Sequence, residues 1–141
     1  MFFVDMNGEG EGVSFFYDKL RSRNVVVTPE EKVRQKFMEY LINEKGYPSG
    51  VMRIERRIIE KTKRAYRPDI VIYNSSGKPF LIVECKSSKV SVNEDTAWQV
   101  MNYNKYIYAR YIVITNIKKT FCWEFDKETN GYVPSSIPGF E

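Results

Sequence analysis

Asp69, Glu84 and Lys86 are the residues of this 141-residue chain whose types and spacing could best do chemistry. Glu84 and Lys86 close the apolar run Phe80 to Val83. Side chains alternate along a strand, so these two point to one face about 6–7 Å apart, with Cys85 turned into the opposite layer. Asp69 opens the preceding apolar run, Asp69-Ile70-Val71-Ile72-Tyr73, and Asn74-Ser75-Ser76-Gly77 supplies a turn between the two. An antiparallel hairpin of these runs sets Asp69 beside Glu84. Two carboxylates and a backbone carbonyl, that of Cys85, are hard oxygen ligands suited to Mg2+, which keeps several waters and accepts phosphate oxygens. A neighbouring lysine can orient an attacking water and stabilise charge at phosphorus. The plainer reading of Glu84-x-Lys86 is a surface salt bridge; Pro68-Asp69 at hairpin spacing upstream favours the site.

Composition narrows the choice of mechanism. The chain has no histidine, which excludes Ser-His-Asp and Cys-His machineries and histidine general bases. Its two cysteines, Cys85 and Cys122, form neither a CxxC pair nor a disulfide framework and read as small buried hydrophobes. No basic n-region precedes a long apolar stretch, and no apolar run approaches the roughly 20 residues that span a bilayer, so a cytoplasmic protein without a membrane partner is expected. Net charge is +4, concentrated between Arg53 and Arg67, where seven Lys and Arg stand against Glu55 and Glu60. Such a segment can meet phosphates by counterion release or simply form a solvated face.

The elements that must position the site are an α/β set. Thr28-Pro29-Glu30-Glu31 reads as an N-cap, a proline at the first helical position and a capping-box glutamate. The helix that follows buries Val33, Phe37 and Leu41 and stops at Gly46 and Pro48. Val51 to Ile59 alternates as a half-exposed strand, and the hairpin runs are apolar enough to be central strands covered on both faces. Ser91 and Glu94 form a second capping box, opening a helix to about Tyr108 with a core stripe of Ala97, Val100, Met101, Asn104, Ile107 and Tyr108. Tyr111 to Thr115 and Phe121 to Phe125 are further strands. Residues 1–27 read as an N-terminal extension with a flexible glycine turn, because Gly8-x-Gly10-x-Gly12 lacks the strand and spacing of a phosphate loop. Residues 28–126 are the expected domain, and residues 127–141 are a tail with little reason to pack.

Arg67-Pro68-Asp69 followed by Glu84-Cys85-Lys86 resembles the signature of PD-(D/E)xK nucleases. Gln99-Val100-Met101-Asn102-Tyr103 is similar to the QxxxY motif of RecB-type nucleases and of the N-terminal nuclease domain in type I restriction enzyme R, or motor, subunits. Thr28 to Gln35, Glu55 and Thr115-Asn116 are similar to that restriction domain as well, so the resemblance covers roughly residues 28 to 126. It implies a restriction-endonuclease-like fold, a central mixed β-sheet flanked by helices in one domain. It also implies a DNA nuclease dependent on Mg2+ or Mn2+, in which water activated at the metal attacks a phosphodiester.

By the same resemblance Asp69 and Glu84 are metal ligands with the Cys85 carbonyl, and Lys86 is the catalytic lysine. Gln99 belongs to the catalytic set, and Tyr103 and Arg67 contact DNA or support the site. Helical spacing independently lines up Gln99, Tyr103 and Tyr106 beside the core stripe, although a boundary amide and a packed tyrosine would fit that spacing too. Relatives often add a carboxylate from the first helix, here Glu31, but capping already explains Glu31 and the helical period turns it from the apolar stripe. Glu55 matches an acidic position of the restriction family, yet it lies among arginines that could pair with it. No GxxxxGK[ST] sequence is present, so translocation and sequence recognition would come from a homo-oligomer or a separate partner. The alternative is an inactive nucleic-acid-binding or assembly module with the same fold.

Overall fold

Thr28 starts the first helix through its side chain: its Oγ1 accepts a hydrogen bond from the Glu31 backbone N–H at 3.1 Å, which satisfies one of the donors a helix start leaves open. In the computed structural model, which describes residues 3–4, 15–18, 20, 23–26, 28–54, 68–104 and 108–140, this helix, α1, spans Pro29–Asn43. Its buried arc is wider than the stripe Val33, Phe37 and Leu41, because Glu31, Arg34, Gln35 and Met38 are buried beside it. Three short strands precede it, β1 (Phe3–Val4), β2 (Phe15–Asp18) and β3 (Arg23–Val26), paired antiparallel in that order. These strands lie within the expected N-terminal extension, residues 1–27; the glycines of the GxGxG stretch lie outside the described residues.

The main sheet has six strands in sequence order: β4 (Met52–Ile54), β5 (Ile70–Tyr73), β6 (Pro79–Cys85), β7 (Tyr111–Thr115), β8 (Thr120–Asp126) and β9 (Gly131–Pro134). Among the described strands only β6 and β7 pair in parallel, and the crossover that a parallel pair requires carries the second helix, α2 (Glu94–Asn104). The β5–β6 hairpin turns where expected: Asn74 Oδ1 accepts from the N–H groups of Ser76 and Lys78, and Gly77 takes the positive φ of +75°.

The sheet is covered on both faces, as its apolar strands require. On one face α1 contributes Val33, Phe37 and Leu41 to a core with Ile70, Ile72, Leu81, Val83 and Cys85. On the other, Ala97 and Val100 of α2 pack with Val71, Ile82, Ile112 and Ile114.

Three local expectations change. Asn93, not Ser91, caps α2, its Oδ1 accepting from the N–H groups of Asp95 and Thr96. The Ser91 reading fails because the helix begins at Glu94, which puts Asn93 in the capping position. Tyr108 is no core residue: it is 80% exposed and has φ +60°, so the backbone has left the helical path that the stripe needs. The segment 131–140 does pack. Residues 131–134 add β9 to the sheet edge, the Tyr47 hydroxyl donates to the Pro138 carbonyl at 2.8 Å, and Phe140 meets the Tyr47 ring edge-on. The Gly and Pro content of that segment hid the alternation of Tyr132 and Val133 and the partner waiting at Tyr47.

Candidate active site

Asp69 and Glu84 meet because of register. Ile70 pairs with Val83 in the β5–β6 ladder, so the next residues outward, Asp69 and Glu84, stand opposite each other where the hairpin opens. Asp69 Oδ2 accepts the backbone N–H of Cys85 at 2.7 Å, which ties the start of β5 to the end of β6. Lys86 lies two residues beyond Glu84 on the same face, its Nζ 3.6 Å from Glu84 Oε1. The backbone N–H of Lys86 donates to the Thr115 carbonyl of β7, which holds this strand end in the sheet. The Cys85 side chain points into the α1 core, as alternation requires.

Glu84 carries the clearest electrostatic signature. Burial, with the Asp69 charge adding to it, pushes its carboxyl from the ordinary 4.5 up to about 7, against the opposing pull of Lys86 and Arg34. Its Oε2 is buried without a hydrogen-bond partner among the described residues. A buried carboxylate oxygen left open in this way is costly unless something else binds it. Burial also raises both thiols, Cys85 well above the usual range and Cys122 to about 12, so neither is a ready nucleophile or thiolate ligand.

The α1 helix adds residues that the sequence pattern did not single out. Arg34, 4% exposed, ion-pairs with Glu31 one turn earlier and reaches Asp69 Oδ1 at 2.7 Å. Gln35 donates to Glu31 Oε1 at 3.2 Å. Glu31 is therefore buried and faces the sheet, in contrast to the expectation from helical period. That expectation counted only apolar positions, whereas the buried face continues into the polar set 31, 34 and 35. The available signal was the spacing i, i+3, i+4 of Glu, Arg and Gln, which can pair with one another on one face of a helix.

The remaining expected residues are described only in part. Gln99 is exposed on α2. Tyr103 falls within α2, but its side chain is not among the described ones. Arg67, Glu55, Tyr106 and the basic segment beyond Arg53 lie outside the described residues.

A divalent cation fits the donors that are present. Glu84 Oε2 is open, and each oxygen of the Asp69 carboxylate across the hairpin retains a lone pair after its single hydrogen bond. Among the described residues no group of three or more His, Cys, Asp or Glu side chains converges. A site with two carboxylates suits Mg2+, which binds through one or two of them and keeps its waters.

No described helix is long and apolar enough to cross a membrane. No curated protein matches the sequence. Among solved structures, the fold resembles the fragment structure of a chain described as an HsdR subunit of a type I restriction enzyme from Vibrio vulnificus YJ016, with a TM-score of 0.55 and 18% identity. The match covers 80% of this chain and 24% of that one, so this chain spans about a quarter of the length of that relative. Residues 29–138 match the family described as type I restriction enzyme R protein N terminus (HSDR_N), which takes in α1, the whole six-stranded sheet and every residue of the acidic cluster. The chain belongs to the family of type I restriction enzyme R protein N-terminal domains.

Proposed function

We propose that this domain is a DNA nuclease dependent on Mg2+ or Mn2+, the cutting module of a restriction-modification system. The observation that carries the reading is the juxtaposition of Asp69 and Glu84 at the open end of the hairpin, with Glu84 Oε2 unpartnered among the described residues and Lys86 alongside. Asp69, Glu84 and the Cys85 carbonyl would hold the metal. When bound, Mg2+ supplies positive charge that polarises a phosphate oxygen and acidifies water.

The chain's own residues do the rest. Asp69 is held at both oxygens, so it presents its carboxylate in one orientation. Glu84 supplies the open oxygen, Oε2, as a ligand. Lys86 places a cation where a phosphate oxygen or attacking water would lie beside Glu84, and it can donate hydrogen bonds to either. Gln99 and Tyr103 on α2 are the substrate-side residues of this reading, with Arg67 and the basic segment meeting the DNA backbone. Translocation and target recognition belong to other domains or to partner subunits.

The test is cleavage of labelled linear, circular and single-stranded DNA by the purified domain with Mg2+ or Mn2+. Activity should vanish with EDTA and fall by roughly 100-fold or more in Lys86→Ala and Asp69→Asn. Undiminished cutting by Asp69→Asn would refute the assignment. Salt-sensitive DNA binding without metal binding or cutting would favour an inactive binding module instead.

A further inference from the structure

We propose that Arg34 is the positioning residue of the acidic site, fixing the Asp69 carboxylate from α1, and that Glu31 acts through Arg34 rather than as a ligand. The inference rests on the metal-dependent reading above. A guanidinium stays charged, so its burial requires paired carboxylates. Arg34 has two: it ion-pairs with Glu31 through one terminal nitrogen and lies 2.7 Å from Asp69 Oδ1 through the other. Both Glu31 oxygens are engaged, Oε2 by Arg34 and Oε1 by Gln35. Asp69 is gripped from two elements at once, by Arg34 on α1 at Oδ1 and by the Cys85 N–H on β6 at Oδ2, so its carboxylate plane is set without a metal.

Two effects of Arg34 oppose each other. Its charge repels a dication, so a purely Coulombic role makes removal strengthen metal binding. Its fork holds Asp69 next to Glu84 against the repulsion of two adjacent carboxylates, so a positioning role makes removal weaken it. The fork should dominate, because partners that orient a metal's ligands typically contribute about 10–100-fold in affinity. Lysine keeps the charge but cannot span two carboxylates with a planar fork, which separates the two effects.

The experiment is calorimetric titration of Mn2+ into folded wild type, Arg34→Lys, Arg34→Met, Glu31→Gln and the double variant Glu31→Gln/Arg34→Met, each well below its melting temperature. Arg34→Lys should bind Mn2+ roughly 10-fold or more weakly, and the double variant no more weakly than Arg34→Met alone. If Arg34→Met fails to fold, Arg34→Lys and Glu31→Gln carry the test: Glu31→Gln should lose less affinity than Asp69→Asn titrated alongside it. Unchanged or tighter Mn2+ binding by Arg34→Lys overturns the inference while leaving the metal-dependent reading in place. A wild type that binds no Mn2+ overturns both.

Discussion

Replacing Glu84 with glutamine should stabilise the metal-free fold at alkaline pH, even though it removes a proposed metal ligand. Burial and the Asp69 charge lift the Glu84 carboxyl from 4.5 to about 7. At about 1.4 kcal/mol per pH unit, that rise corresponds to about 3 kcal/mol of destabilisation when the group is ionised. Below pH 4.5 Glu84 is protonated in folded and unfolded chains alike and the penalty is absent. Between 4.5 and 7 the folded state binds more protons than the unfolded one, so stability falls as pH rises, and above 7 the full penalty persists. Glutamine does not titrate. Any constant effect of its amide on packing or hydrogen bonding cancels when the variant is compared with wild type at two pH values. Urea denaturation in EDTA at pH 4.5 and pH 8 should therefore show the stability difference shifting in favour of Glu84→Gln by about 3 kcal/mol. That is a relative midpoint gain of roughly 1–3 M urea for ordinary slopes. Saturating Mn2+ at pH 8 should reverse the order, since the metal stabilises only the chain that binds it. A difference that is the same at both pH values would refute the claim that Glu84 is held in an unfavourable ionised state.

Two further expectations check the surroundings. Asn93→Ala should cost roughly 1 kcal/mol in denaturant unfolding and Ser91→Ala close to nothing, since only Asn93 caps α2; equal losses would restore the Ser91 assignment. Cys85 and Cys122 should resist iodoacetamide at pH 8 in the folded protein and react once urea unfolds it, because both thiols are buried and raised; mass spectrometry showing native labelling would contradict that environment.

What could be read from the sequence follows from which interactions are local. The hairpin register that joins Asp69 to Glu84 was legible because it depends on a four-residue turn and on alternation, both written in consecutive residues. The Thr28 cap was legible for the same reason. The Asn93 cap was missed because Ser91 and Asn93 are both good capping residues and only the chain's path selects between them. Arg34 was missed because its partner Asp69 is 35 residues away on another element, and a polar residue beside an apolar stripe ordinarily faces water. Tyr47 and the C-terminal segment met across 91 residues, beyond the reach of any local pattern.

These distances explain why the site depends on the core as a whole. Asp69 and Glu84 come from the hairpin, while the arginine that holds Asp69 comes from a helix anchored by Val33, Phe37 and Leu41 against the same strands. If α1 slid along the sheet by about 1.5 Å, the rise of one residue, the 2.7 Å contact between Arg34 and Asp69 would break. The polar chain Gln35, Glu31, Arg34, Asp69 thus adds directional contacts to the close-packed apolar core in fixing the helix position, at the point where Asp69 and Glu84 stand opposite each other.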